Sequence, residues 1–334
     1  MRRFVSTLFL AVILVGGAWA LYHRDKFQSA EQAWQFAQSQ FASDSSSSVP
    51  VQLSKWEPSA RVPNTIRVAS FNLQAFNAEK IANETIAQRV AEIMMSFDVI
   101  AVQEILPGDQ SALQRLVKKI NNYGMNYAYS LSPSLGSAGN ARQSAFIFNQ
   151  SSIQLDDAFA YAVNDPQQVF MRQPYVGWFR AAQVRPDRAL TFTLVNLDLD
   201  ERKMSEEVEV LGALFRTVRK DTRDEDDVIL LGNFQCDAQT LRVLQDTVGL
   251  RCAIVNQPTN TQRTRQLDNI LYSSIATTEF TGERGVFDFL QQFNLTLEEA
   301  LQISDHLPVW ADFSIFEGDT PGRMAQEHGT EATR

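Results

Sequence analysis

Short apolar runs alternate with helical patterns along most of the chain, and several runs end in polar residues. Apolar runs rich in β-branched and aromatic residues predict strands buried on both faces, and apolar residues three or four positions apart predict amphipathic helices. Strands are predicted at 66–72, 98–104, 145–148, 176–184, 190–197, 228–231, 267–272 and 307–313, and helices at 81–95, 113–120 and 205–219. This alternation predicts an α/β fold in which helices cover the sheets.

The two ends of the chain differ in composition from its middle. Met1-Arg2-Arg3 precedes an apolar stretch from Phe4 to Leu21 that is long enough to span a bilayer, and Ala18-Trp19-Ala20 resembles a cleavage site. An uncleaved anchor and a removed signal peptide both stay open, and both place the remainder outside the cytoplasm, membrane-anchored or secreted. The predicted boundaries are 1–21 for the anchor or signal peptide, 22–63 for a polar, amphipathic tether, 64–317 for the folded domain and 318–334 for a disordered tail.

Composition narrows the class of partner. The chain has 334 residues, of which 44% are hydrophobic and 21% charged, as in globular proteins. Its net charge of -9 argues against strong non-specific nucleic-acid binding, because that binding depends on Lys and Arg neutralising phosphates. A phosphorylated substrate attracted by a metal ion is not excluded. Cys236 and Cys252 are the only cysteines, and both a disulfide and two buried thiols stay open.

The candidate chemistry begins with the tight polar cluster Ser304-Asp305-His306, which precedes an apolar strand. A buried strand has no structural use for a carboxylate and an imidazole at its entrance, but adjacent side chains there can share one site. The carboxylate can bind a metal and the imidazole a substrate oxygen. Further polar clusters at the ends of other strands predict that this site is built from distant parts of the chain.

Five ordered motifs together resemble the endonuclease/exonuclease/phosphatase superfamily, which has the deoxyribonuclease I-like fold. They are Phe71-Asn72, Val102-Gln103-Glu104, Gly232-Asn233-Phe234-Gln235, Leu267-Asp268-Asn269-Ile270 and Ser304-Asp305-His306. The resemblance extends from Thr65 to Phe316. It implies a four-layer α/β sandwich with two central mixed β-sheets covered by helices, and a metal-dependent phosphoesterase that hydrolyses phosphodiesters or phosphomonoesters.

The resemblance also implies a role for each site residue. The metal ligands would be Glu104, Asn72 and Asp305, and the catalytic residues His306, Asp268, Asn233, Gln235 and Arg172. Mg²⁺ (or Mn²⁺) is the implied ion, because hard cations prefer carboxylate oxygens. His306 would hydrogen-bond or protonate a phosphoryl oxygen while Asp268 fixes its tautomer and raises its pKa. Arg172 would hold a phosphate through two hydrogen bonds.

The chain departs from the superfamily pattern in the half of the site that activates water. Asn233 replaces the aspartate of Gly-Asp-Phe-Asn, and an amide cannot accept the proton of the attacking water; losing a general base typically removes a factor of about 10²–10⁴ in rate. Gln235 is one methylene longer than the Asn of the same motif. Asn196 or Asp198 stands where the pattern has a histidine, and Arg142-Gln143 where it often has a glutamate.

Nearby acids offer a possible replacement for the lost base. Asp198, Asp200 and Glu201 can rebuild a base from another direction, although we interpret them first as an acidic loop that faces solvent. Two functions therefore stay open. One is a membrane-anchored or exported phosphoesterase that is slow or re-tuned. The other is a catalytically silent member that binds a phosphorylated ligand or a protein partner. The sequence specifies neither the substrate class nor the oligomeric state.

Overall fold

The computed structural model describes residues 61–108, 111–137, 139–221 and 225–318. The predicted anchor or signal peptide, almost all of the tether and nearly all of the C-terminal tail lie outside these ranges. Within them, no helix is both long and apolar enough to cross a membrane. Membrane attachment and export therefore stay predictions from the sequence.

The described residues form strands and helices in alternation. The strands are β1 (Thr65–Phe76), β2 (Val99–Ile105), β3 (Tyr127–Leu131), β4 (Gln143–Asn149), β5 (Ile153–Leu155), β6 (Tyr161–Ala162), β7 (Tyr175–Ala181), β8 (Thr191–Asp198), β9 (Val228–Asn233), β10 (Leu250–Cys252), β11 (Asp268–Ser273), β12 (Phe280–Val286) and β13 (Val309–Ser314). The helices are α1 (Ala78–Ala82), α2 (Glu84–Met94), α3 (Ser111–Asn121), α4 (Met204–Arg219), α5 (Arg242–Val248), α6 (Phe289–Gln292) and α7 (Leu297–Ile303).

The strands form two mixed sheets. The first has the order β12-β13-β1-β2-β4-β3, and the second has the order β10-β11-β9-β8-β7-β5, with β6 paired to β7. Each sheet contains one parallel pair, β1 with β2 and β8 with β9, among antiparallel neighbours. With helices on the sheets, this arrangement confirms the predicted four-layer α/β sandwich.

Apolar side chains fill both faces of the central strands. Phe146 of the first sheet packs against Tyr175 and Phe179 of the second, in a cluster that draws on both sheets. On the other face of the second sheet, residues such as Leu197 and Leu230 pack with the apolar side of α4. Burial on both faces explains why these strands appear in the sequence as nearly continuous apolar runs.

Several elements differ from the sequence predictions. The single helix predicted at 81–95 is two helices, because the Asn83 side chain accepts hydrogen bonds from the backbone N–H groups of Thr85 and Ile86 and starts α2 anew. The short strands β3, β5, β6, β10 and β12 and the helices α5, α6 and α7 were not predicted. Cys236 and Cys252 are both free, so the disulfide alternative is not realised.

Gly232 permits an unusually close approach of β8 to β9. Its φ is +146°, and a Cβ at this position would lie 1.9 Å from the carbonyl oxygen of Leu197. Leu197 and Gly232 are partners in the parallel register, and the next pair is Asp198 with Asn233. The glycine therefore brings two polar side chains together at the ends of adjacent strands.

We expect Gly232→Ala to lower the free energy of unfolding by about 3 kcal/mol or more, because the new methyl group collides with backbone that cannot move aside. Gly249→Ala is the control, since Gly249 also has a positive φ of +76° but has no atom within 4 Å of the added Cβ. It should cost about 1 kcal/mol from backbone strain alone. Chemical denaturation measures both, and equal losses would contradict the steric explanation.

Candidate functional site

Polar residues from both sheets meet at the end of the sandwich where the two parallel pairs finish. Asn72 and Glu104 lie near the ends of β1 and β2, and Asp198 and Asn233 end β8 and β9. Beneath them, Gln103 Nε2 donates to Asn196 Oδ1 at 2.8 Å and joins the sheets. Because the carboxyl ends of parallel strands share an edge, four distant segments supply side chains to one place.

A bulge between β1 and β2 aims the Glu104 carboxylate. Their register shifts after Asn72, and Gln74, Ala75 and Glu104 adopt positive φ values of 47°, 54° and 59°. Asn72 Nδ2 donates to Glu104 Oε1 at 3.0 Å, and the Ala75 N–H donates to Oε2 at 3.2 Å. Strained backbone of this kind persists where surrounding contacts hold it, and here it positions an acid at the surface.

Lys80 is a site residue that sequence reasoning missed. Its Nζ donates to the carbonyl oxygens of Leu73 and Gln74 at 2.7 and 2.8 Å, which braces the bulge. Burial lowers the pKa of Lys80 to about 8, and the charges of Asp305 and Glu104 oppose this lowering. Those two carboxylates therefore face the same space. A lysine in a short amphipathic helix carries no sequence signal for such a position.

The buried His306 imidazole contacts the carboxylate of Asp268, as the sequence predicted. Its Nδ1 lies 2.8 Å from Asp268 Oδ2 and 3.0 Å from Oδ1. Burial by itself lowers the pKa of His306. The charges of Asp268, Asp305 and Glu104 raise this pKa by more than burial lowers it, so that its value is about 9. The imidazole is therefore protonated at neutral pH, and Asp268 holds the proton on Nδ1 so that Nε2 can also donate.

Two hydroxyl groups hold His306 and its partner Asp268 in place. Ser304 Oγ donates to the carbonyl oxygen of Asn72 at 2.7 Å and accepts from the His306 N–H at 3.0 Å. Thr259 Oγ1 donates to Asp268 Oδ2 at 2.8 Å. Ser304 thus ties the histidine to the strand that supports Glu104, and Thr259 supports the carboxylate behind the histidine.

Asp198, and not Asn196, stands at the site in the place of the superfamily's histidine. Asn196 is used between the sheets, where its Nδ2 donates to the carbonyl oxygens of Val102 and Ala145 at 3.1 Å each. Asp198 Oδ1 accepts from Asn233 Nδ2 at 3.3 Å. Burial raises the pKa of Asp198 to about 6, with a further increase from Glu104, while Arg172 opposes the shift.

The interpretation of 198–201 as a solvent-facing acidic loop is wrong for its first two acids. Asp198 is 4% exposed, and the Asp200 side chain is 12% exposed. The Arg172 guanidinium explains why these two acids can be buried. Its Nε lies 2.6 Å from Asp198 Oδ2, and its Nη1 lies 3.6 Å from Asp200 Oδ2. Burying these carboxylates requires a cation nearby. Glu201 alone faces solvent, as predicted.

The side-chain amide of Asn233, in the altered motif, is occupied by local contacts. Asn233 Oδ1 accepts from the backbone N–H of Gln235 at 3.2 Å while its Nδ2 donates to Asp198. Gln235 has a positive φ of 57° and is partly buried. Asn233 therefore positions Asp198 and does not offer a free acceptor to a water molecule.

Glu104 and Asp305 fit a hard divalent cation. Asn72 Oδ1 accepts from the Gln74 N–H at 2.8 Å, so Asn72 orients Glu104 through its amide nitrogen. Among the described residues, the groups of three or more possible ligands with atoms within 4.8 Å of one another do not include Glu104 or Asp305. Two carboxylates would leave the remaining coordination positions of a divalent cation to water molecules or to a ligand.

The chain is similar in sequence to deoxyribonuclease-1-like proteins. No protein-family model matches the chain. It is 30% identical to Deoxyribonuclease-1-like 1 of Sus scrofa over 261 residues, which cover 74% of this chain and 81% of the relative. It is 27% identical to Deoxyribonuclease-1-like 2 of Homo sapiens over 284 residues, which cover 76% and 94%.

Solved structures share the fold, and one of them is D. rerio TDP2 complexed with a single-strand DNA product, with a TM-score of 0.53 and 14% identity. The match covers 75% of this chain and 98% of the other. At this identity the likeness concerns the arrangement of strands and helices.

Asp268→Asn should return the pKa of His306 to its ordinary value or below, because burial remains while the opposing charge is removed. In the wild type the folded pKa of about 9 exceeds the ordinary 6.5, so the stabilisation is complete below pH 6.5 and is lost as the pH rises through 9. NMR titration of His306 without metal, with denaturation from pH 6 to 10, measures both effects. In the control variant Asp187→Asn, which changes an exposed acid, neither the pKa of His306 nor the pH dependence of the free energy of unfolding should change. An unshifted His306 pKa in Asp268→Asn would contradict the assignment.

Proposed function

The chain belongs to the deoxyribonuclease I-like endonuclease/exonuclease/phosphatase superfamily, and on that premise we propose that it is a slow or re-tuned metal-dependent phosphoesterase. One observation carries the proposal: the Ser304 hydroxyl links the backbone of His306 to the backbone of Asn72, whose side chain orients Glu104, while Asp268 keeps the His306 imidazole protonated. Members of the superfamily generally depend on a divalent metal. A bound cation and a protonated donor beside it are the two groups that stabilise the charge developing on a phosphoester during hydrolysis.

In this proposal the charged groups divide the work. Glu104 and Asp305 would hold Mg²⁺ or Mn²⁺, which would supply positive charge to neutralise the phosphate and the leaving oxygen. His306 donates from Nε2 to a phosphoryl oxygen, with Asp268 fixing the other ring nitrogen. Its pKa of about 9 keeps the donor charged at neutral pH.

Asp198 takes the role of the missing base. Its carboxylate is ionised at neutral pH because its pKa is raised only to about 6. It contacts Asn233, the position of the superfamily's water-activating aspartate, so a water molecule near that motif lies within reach of an acceptor. The ion pair with Arg172 at 2.6 Å weakens this base, which agrees with slow turnover.

Hydrolysis should have a bell-shaped pH dependence. It should rise with pH as Asp198 loses its proton near pH 6 and fall as His306 loses its proton near pH 9. Asp198→Asn should remove the acidic limb and lower kcat by about 10²-fold or more. The measurement is release from a chromogenic phosphodiester with Mg²⁺, with the exposed Glu201→Gln as control. Unchanged kcat in Asp198→Asn would contradict the assignment.

A catalytically silent protein is the second candidate, and the pairing of Arg172 favours it. Its guanidinium contacts two acids of its own chain, so it is less available to bind a phosphate. Such a member would keep the metal and imidazole half of the site for binding a phosphorylated ligand or a partner. Both candidate functions agree with the same sequence and fold, so a measurement of turnover is needed to distinguish them.

The silent candidate predicts that restoring the pattern creates activity. The triple variant Asp198→His, Asn233→Asp, Gln235→Asn should then raise hydrolysis at least about 10²-fold, because it returns an acceptor for the water proton. Glu104→Gln added to the triple variant is the control that removes the metal carboxylate. A wild-type turnover rate of about 1 per second that depends on Glu104 would contradict the catalytically silent candidate.

We propose that the protein acts outside the cytoplasm, on the basis of the charged and apolar start of the chain. The name of its relatives makes DNA the first substrate to test, with a phosphomonoester as the comparison. The net charge of -9 favours recognition through the bound metal over binding along an extended phosphate backbone.

A further inference from the structure

A second cluster of carboxylates lies at the other end of the second sheet. Asp227 directly precedes β9, whose opposite end is Asn233, so the two sites are roughly 20 Å apart along the strand. Glu279 precedes β12, and Glu317 follows β13. One carboxylate oxygen from each acid lies within 4.8 Å of the others. Acids from three distant segments therefore meet at a place that the proposed reaction does not use.

The cluster is buried and incompletely paired. Asp227 and Glu279 are each 1% exposed. Asp227 Oδ1 and Glu279 Oε2 make no hydrogen bond. In the described part of the chain, no lysine or arginine forms a salt bridge with Asp227, Glu279 or Glu317. Buried carboxylates are normally paired with a cation, bound to a metal or neutralised by a proton, and no cationic side chain serves here.

Backbone donors hold the acids in place while leaving oxygen atoms free. Glu279 Oε1 accepts from the Gly318 N–H at 2.7 Å, and Glu317 Oε2 accepts from the Thr191 N–H at 3.0 Å. The Thr277 hydroxyl is near enough to lower the pKa of Asp227, although Thr277 Oγ1 and Asp227 Oδ1 are outside ordinary hydrogen-bond geometry. The free oxygens and this hydroxyl are all hard ligands.

We propose that Asp227, Glu279 and Glu317 form a calcium site. Ca²⁺ takes six to eight oxygen ligands in flexible geometry, whereas Mg²⁺ is usually bound by one or two carboxylates and retains several water molecules. Three clustered acids supply more protein ligands than Mg²⁺ usually takes, which favours Ca²⁺. Glu317 is exposed and opens the cluster to the water molecules that complete a coordination number of six to eight.

The bound ion would connect the two sheets at the end opposite the active site. Asp227 belongs to the second sheet, and Glu279 and Glu317 flank edge and neighbouring strands of the first. One cation therefore links the start of β9 to the segments around β12 and β13. Its effect is on stability and is independent of the proposed hydrolysis.

A proton is the competing way to neutralise the cluster. Burial, together with the charge of Glu279, raises the pKa of Asp227 to about 9. Partial desolvation of the Glu317 carboxylate, together with the neighbouring acids Glu279, Glu225 and Asp226, raises the pKa of Glu317 to about 7. Protonated acids would hold the same positions without a metal. Binding measurements on variants that keep the shape and remove the charge separate the two explanations.

We expect Ca²⁺ added to metal-free protein to raise Tm by about 5 °C or more at one hundred times its Kd. Glu104→Gln, which alters the candidate active site, should respond as the wild type does. Asp227→Asn/Glu279→Gln should lose the response. Asp187→Asn/Glu283→Gln, which makes the same change in charge at exposed positions, should keep it. No shift in the wild type, or an equal shift in Asp227→Asn/Glu279→Gln, would overturn the site.

A direct probe covers the case in which the double variant does not fold. Trp178 Nε1 donates to Glu225 Oε2 at 3.1 Å, and Glu225 Oε1 accepts from the Asp227 N–H at 2.9 Å, so this indole is beside the cluster. Tb³⁺ bound in place of Ca²⁺ should emit on tryptophan excitation. Ca²⁺ should quench the emission by displacement, and Trp178→Phe should remove most of it. Emission that Trp178→Phe leaves unchanged would place the ion elsewhere and overturn the proposal.

Discussion

The buried contact between His306 and Asp268 joins the two sheets and is the interaction on which the site depends. His306 precedes β13 of the first sheet, and Asp268 begins β11 of the second. The contact therefore holds the ends of the sandwich together and at the same time determines the protonation of the imidazole. A buried imidazolium requires a carboxylate beside it, so fold and chemistry constrain each other here.

The altered half of the site keeps a balance of charge with different residues. Asp198 brings a negative charge into the site, and Arg172 lies beside it at 2.6 Å. Asn233 is neutral and donates to Asp198, whereas an aspartate at that position would place a second carboxylate against the first. The residues at positions 198 and 233 are thus compatible with one another in charge.

The two ends of the sandwich treat buried acids differently. At the candidate active site, Asp198 is accompanied by Arg172, Asn233 and the charged His306. At the other end, Asp227 and Glu279 form no salt bridge with a lysine or arginine in the described part of the chain. A protein neutralises buried acids with its own cations or with a ligand, and this contrast is why the second cluster supports a separate ion.

Much of the fold and part of the site could be predicted from the sequence. Long apolar runs bounded by polar residues indicate buried strands, since burial on both faces excludes polar residues, and Glu104, Asp268, Asp305 and His306 stand at strand ends in a recognisable order. The strands β3, β5, β6 and β10 have too few residues to show a period, and β12 is exposed and polar in its middle, so pairing with neighbours decides them. The sequence also left Asn196 and Asp198 as equal candidates.

Only the tertiary structure could separate those candidates, because the choice depends on contacts between distant segments. Asn196 contacts Gln103 of the other sheet, whereas Asp198 contacts Asn233 of the neighbouring strand. The position of Lys80 beside the site depends likewise on a bulge that no local pattern encodes. The same holds for the cluster of Asp227, Glu279 and Glu317, whose members lie far apart along the chain. Local sequence determines which residues are buried, whereas the packing of distant segments determines which charges meet.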